Sequence, residues 1–164
     1  MTRIVATTLT CHACERLPAG TRCPERCMRN FVLSSWSSSL KASRDAGMIT
    51  TEDWDRVMHE QIAKICARPE CKVLVAVGDE RVFLGFIAGE PTENIVYYCY
   101  VKELHRKQGH ARALFGALGI VPTSRFAYPC GTRALHELRD KVPLARFDPT
   151  VARYPKSQRK VHYA

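Results

Sequence analysis

No apolar run in this chain reaches the roughly 18 residues of a membrane-spanning helix. The opening Met-Thr-Arg-Ile-Val-Ala leads into cysteines and charges, not into an apolar signal core. Both absences predict a soluble, cytoplasmic protein. Internal repeats and low-complexity blocks are also missing, so the 164 residues suit one compact domain over 1–164. Acidic residues are scarce, 16 against 25 lysines and arginines, which leaves a net charge of +9. A positive field of that size attracts nucleic acid, acidic protein surfaces or a phosphorylated cofactor, or it serves solubility alone. Part of it sits in a polar tail at about 153–164, with Arg153, Lys156, Arg159 and Lys160.

Cysteine is abundant instead, with eight residues, and without a secretory signal that points to thiol or metal chemistry rather than disulfides. Cys11, Cys14, Cys23 and Cys27 crowd a segment at about 10–29 that has no hydrophobic period and reads as a loop insertion. Four thiolates are the number a closed structural zinc site requires. The x2–x8–x3 spacing is equally compatible with a metal-free, arginine-rich loop. Cys66, Cys71, Cys99 and Cys130 are scattered and read as small core residues.

Residues 3–9, "RIVATTL", have the β-branched content of a strand. Val32, Trp36 and Leu40 recur at four-residue spacing, predicting a helix from Asn30 despite five serines inside it. In "ITTEDWDRVMHEQIAKICARP", Thr50 and Asp53 form a capping pattern, and Trp54, Val57, Met58, Ile62 and Ile65 form an apolar stripe. "KVLVAV" (72–77) and "VFLGFIAG" (82–89) flank a polar turn and predict a hairpin, followed by "NIVYYCYV" (94–101). These strands are apolar at nearly every position, as strands covered on both faces are. Adjacent Tyr97 and Tyr98 should then face opposite sides, so only one can look toward an acceptor. For both, and for Trp36, packing is the plainer role.

A helix begins near Gly109, with Ala111, Leu114, Phe115 and Leu118 on one face. "RFAY" (125–128) reads as a strand, "TRALHELRDKV" (132–142) as a short helix, and 145–154 as a last extended piece. The predicted class is α/β, a mixed central sheet flanked by helices in the order β-α-α-β-β-β-α-β-α-β.

Between Val101 and Arg112 a strand turns into a helix through basic and turn-forming residues. The first N–H groups of a helix lack internal partners and carry partial positive charge, so an anion suits them. Gly109 removes a side chain there, Ala111 keeps the next turn small, and Arg106, Lys107 and Arg112 add cations. A diphosphate fits better than a neutral ligand, although a solvated basic turn is the bland alternative. His105 and His110 flank this loop and read as surface histidines.

Arg106-Lys107-Gln108-Gly109-His110-Ala111 resembles the Arg/Gln-x-x-Gly-x-Gly/Ala loop of the GNAT superfamily of N-acetyltransferases, in the place that family has it. "NFVLSSWSSSLK" together with "YVKELHRKQGHARAL" is similar to small GNAT-like proteins of phages and prophages, which would place it in a bacterial host cell. The resemblance covers about 3–141 and implies the GNAT fold and acetyl-CoA as co-substrate. It implies that Gln108, Gly109, His110, Ala111 and Arg112 hold the pyrophosphate by their N–H groups, beside Arg106 and Lys107. It further implies that the strand edge at Cys99 to Val101 holds the pantetheine arm, and that an amine attacks the thioester directly. The family's usual tyrosine on the late helix is absent, so Tyr128 is the nearest proton donor, with His136 or Cys130 as substitutes. Glu90 or a water chain would serve as base. The acceptor would be an amine on a protein, a small molecule or a nucleic-acid base, and the protein a monomer or homodimer. The competing expectation is a basic, zinc-stabilised nucleic-acid-binding protein on a GNAT-like fold without that activity.

Overall fold

The computed structural model describes residues 2–11, 13, 16–17, 27–41, 50–121, 125–129 and 145–148. The elements are β1 (Arg3–Thr7), α1 (Met28–Leu40), α2 (Thr51–Cys66), β2 (Lys72–Val77), β3 (Phe83–Glu90), β4 (Ile95–Val101), α3 (His110–Leu118), β5 (Phe126–Tyr128) and β6 (Ala145–Phe147). The strand expected over 3–9 stops at Thr7, because Leu9 turns to a left-handed φ of 56° and buries its side chain. The helix expected over 132–142 lies outside the described residues. Among those residues, no helix is long and apolar enough to cross a membrane.

The strands form one six-stranded sheet in sequence order. β1 through β4 pair antiparallel, while β4–β5 and β5–β6 pair parallel. Apolar residues on both sides of the central strands follow from two covered faces. One face holds Val75, Phe86, Tyr97 and Tyr98 with Val32 and Trp36 of α1 and Ile62 of α2. The other holds Leu74, Ile87 and Val96 with Leu114, Phe115 and Leu118 of α3.

Helix α2 begins as its sequence predicts: Thr50 Oγ1 accepts from the Asp53 N–H at 3.2 Å. Its stripe differs at one place. Val57 is exposed, and His59 takes a buried position instead. The serine-rich α1 is held by tertiary bonds that propensity does not register. Ser37 Oγ donates to Asp55 Oδ1 at 2.7 Å, Lys41 Nζ donates to Asp55 Oδ2 at 2.9 Å, and Trp54 Nε1 donates to the Ser37 carbonyl at 3.2 Å. These bonds clamp α1 against α2.

The expectation that Tyr97 and Tyr98 face opposite ways is overturned. Ala88 pairs with Tyr98 but Gly89 pairs with Val96, so Tyr97 is an extra residue in β4. Such a bulge breaks the two-residue alternation, and both rings lie in the core under α1 and α2. Tyr98 stacks on Trp36 with centroids 4.9 Å apart and planes 17° apart. Gly89, opposite the bulge, has no room for a side chain: a Cβ would collide with the Ile95 carbonyl oxygen and lie 2.9 Å from Leu118 Cδ2.

Candidate active site at the β4 edge and the α3 start

Helix α3 opens on Gly109, whose φ of 83° is left-handed and whose missing side chain leaves open space. Lys107 is left-handed too, at φ 62°. The first bond of the helix runs from the Ala113 N–H to the Gly109 carbonyl at 3.0 Å, and no side chain caps it. The N–H groups of His110, Ala111 and Arg112 therefore have no protein acceptor among the described residues, which is the condition for an anion seat. Lys107, Gln108, Ala111 and Arg112 are exposed around it. Arg106 is less free than its sequence position suggests, since its Nε donates to the Val101 carbonyl at 3.1 Å. Gln108 donates to the Leu104 carbonyl at 3.3 Å and meets His110 Nε2 at 3.2 Å. A cavity of about 290 Å³ adjoins the loop, lined by Gly78, Asp79, Leu84, His105, Gln108 and His110.

Among the described residues, the strand before the loop is open on one side: β4 and β5 pair there only at Ile95–Ala127, with the Ala127 N–H bonded to the Asn94 carbonyl at 2.9 Å. The tyrosine bulge begins two residues later. On the β3 side, Lys102 N–H bonds the Leu84 carbonyl at 2.9 Å, which sets the phase of the antiparallel ladder. Because alternate residues of such a ladder turn their N–H and C=O groups outward, those of Cys99 and Val101 face the unpaired edge. The Val101 carbonyl is the one taken by Arg106. The Cys99 thiol is pushed up to about 12 by burial, so this residue offers its backbone and not a thiolate.

Tyr128 is 2 % exposed, packed against Phe126 and Phe147, and follows directly on the last residue of β5 that pairs with β4. Glu90 is 1 % exposed. Its Oε1 accepts from the Tyr97 hydroxyl, and Arg68 Nη1 donates to that hydroxyl at 2.8 Å. The same Arg68 nitrogen lies 3.9 Å from Glu90 Oε1. A carboxyl so enclosed reaches an acceptor only through its neighbours. Arg68 was not legible as a site residue, because an arginine between a helix end and a proline carries no pattern of its own. A second cavity, about 370 Å³, runs along α1 between Ser34, Ser35, Ser38, Ser39 and Tyr100.

Of the four clustered cysteines, Cys14 and Cys23 lie outside the described residues, as do Cys130 and His136. Cys27 caps α1, its Sγ accepting from the Asn30 N–H at 3.2 Å. Among the described residues, no group of three or more His, Cys, Asp or Glu is placed to hold a metal ion. The expected zinc site thus has no support there.

The element order from β1 to β5 is the one the resemblance implies. No family model and no curated protein matches the chain. Among solved structures it is similar to a ribosomal-protein-alanine N-acetyltransferase from Brucella melitensis biovar Abortus, at 18% identity and a TM-score of 0.41, over 99% of this chain and 89% of that one. It is also similar to a protein of Staphylococcus aureus assigned to the GNAT acetyltransferase family, at 16% identity and a TM-score of 0.43, over 74% of this chain and 91% of that one. An aminoglycoside acetyltransferase from an uncultured soil sample aligns at 13% identity and a TM-score of 0.40, over 100% of this chain and 92% of that one. Superpositions this loose carry no activity across to this chain.

Proposed function

We propose that this chain is an acetyl-CoA-dependent N-acyltransferase of the GNAT kind, delivering an acetyl group to an amine. The observation that carries the reading is the uncapped helix start at left-handed Gly109, following a strand edge that is unpaired among the described residues. The N–H groups from Gln108 to Arg112, with Lys107 and Arg112 beside them, bind the diphosphate. The outward backbone of Cys99 and Val101 pairs with the amide-bearing arm in the manner of an added strand. The co-substrate supplies an acyl carbon activated as a thioester. Tyr128, where β4 and β5 part, is the proton donor for the leaving sulfur in this reading. Glu90 takes the proton of the amine through Tyr97, or a water chain does so in its place.

Calorimetry with acetyl-CoA tests the reading. Wild-type protein binds, and Gly109→Glu abolishes binding by setting a carboxylate on the diphosphate seat. A wild type that does not bind acetyl-CoA removes the proposal. Mass spectrometry of candidate amines after incubation with labelled acetyl-CoA then identifies the acceptor.

A further inference from the structure

The Arg68–Tyr97–Glu90 cluster draws residues from three separate elements to one buried point. Arg68 belongs to the turn between α2 and β2, its N–H bonded to the Ile65 carbonyl at 3.2 Å and its carbonyl to the Cys71 N–H at 3.0 Å. Glu90 ends β3, and Tyr97 is the bulged residue of β4. The guanidinium also lies over the Tyr97 ring, 5.5 Å from its centroid. A fully buried hydroxyl and a buried carboxyl each cost free energy without partners. Here each partners the other, and Arg68 bonds the hydroxyl.

That arrangement exists in only one register. With the bulge at Tyr97, residues 98–101 pair with 85–88, and the backbone of Cys99 and Val101 faces the open edge. Without it, β4 would slip by one residue against β3. A slip of one turns every side chain to the other face and exchanges the inward and outward amides. Tyr97 would leave Glu90, and Tyr98 and Tyr100 would take the open edge.

We infer that Arg68, Tyr97 and Glu90 are positioning residues that lock the β4 bulge and so select the amides of Cys99 and Val101 for the ligand-facing edge. The inference rests on the proposed function for what the edge binds, but not for the lock itself. Amide hydrogen exchange followed by NMR reads the lock directly. In the wild type, the Tyr98 and Tyr100 amides, bonded to β3, exchange at least roughly tenfold more slowly than those of Cys99 and Val101. Tyr97→Phe, which removes only the hydroxyl, and Glu90→Gln both collapse that contrast. If Glu90→Gln fails to fold, Tyr97→Phe carries the test. Persistence of the wild-type alternation in Tyr97→Phe overturns the inference.

A second measurement ties the lock to the site. ADP, whose diphosphate needs only the loop, binds both variants as it binds the wild type. Acetyl-CoA binds them about fivefold more weakly, the equivalent of one net hydrogen bond lost along the edge. Unchanged acetyl-CoA affinity despite a collapsed exchange contrast overturns the link to the ligand. A wild type that binds neither ligand overturns the proposed function while the exchange result still decides the lock.

Discussion

Arg106 donates from Nε to the carbonyl oxygen of Val101 at 3.1 Å, tying the first cation of the basic loop to the last residue of β4. The loop and the strand edge are therefore one unit. Arg106→Lys keeps the charge but loses the planar Nε donor. Titration calorimetry should show acetyl-CoA affinity falling by about five- to tenfold, the worth of one hydrogen bond. Lys107→Arg, on an exposed residue, should change it little.

Two glycines separate backbone strain from steric collision. At Gly109, alanine meets no atom within 4 Å but must hold φ near 83°, so Gly109→Ala should cost about 1 kcal/mol of stability. At Gly89, a Cβ collides with backbone opposite the bulge, so Gly89→Ala should cost about 2 kcal/mol or more. Urea denaturation of both variants measures the difference.

His59 gives the fold a pH dependence of known sign. Burial lowers its pKa below 6.5, with Arg29 and Lys41 adding to the effect and Asp55 opposing it. The unfolded chain then binds a proton near pH 6.5 that the folded chain refuses. Stability is full above pH 6.5 and declines as pH falls toward the depressed folded value. Denaturation midpoints between pH 7.5 and 5.5 should show that decline, and His59→Gln should flatten it.

The two thiols Cys99 and Cys66 should be chemically quiet. Burial pushes Cys99 up to about 12. The hydrogen bond with the Cys71 thiol, and then burial, push Cys66 upward as well. Iodoacetamide at pH 8 should leave Cys99 unmodified in the folded protein and label it after denaturation, as peptide mass spectrometry would record. Cys99→Ala should leave acetyl-CoA affinity within about twofold, because the backbone is the contact.

Local pattern carried much of this fold. The Thr50 cap, the hairpin at 78–82 and the helix start at Gly109 are decided by neighbours a few residues apart and stand as the sequence predicts, while the apolar stripes of α2 and α3 hold except at Val57 and Ala111, which are exposed. Burial of the central strands on both faces was legible in their continuous apolar runs. What pattern could not supply depends on residues far apart in the chain. Glu90, Tyr97 and Arg68 meet only after β3, β4 and the α2–β2 turn have packed, and their meeting holds a bulge that no two-residue alternation foretells. The serine-rich α1 likewise owes its place to Asp55 and Trp54 of the next helix. The sequence alone therefore determined where the uncapped start of α3 lies, because a helix start is local. Which strand amides face that site was decided by tertiary structure, because a register is chosen by the buried polar groups that only one alignment satisfies.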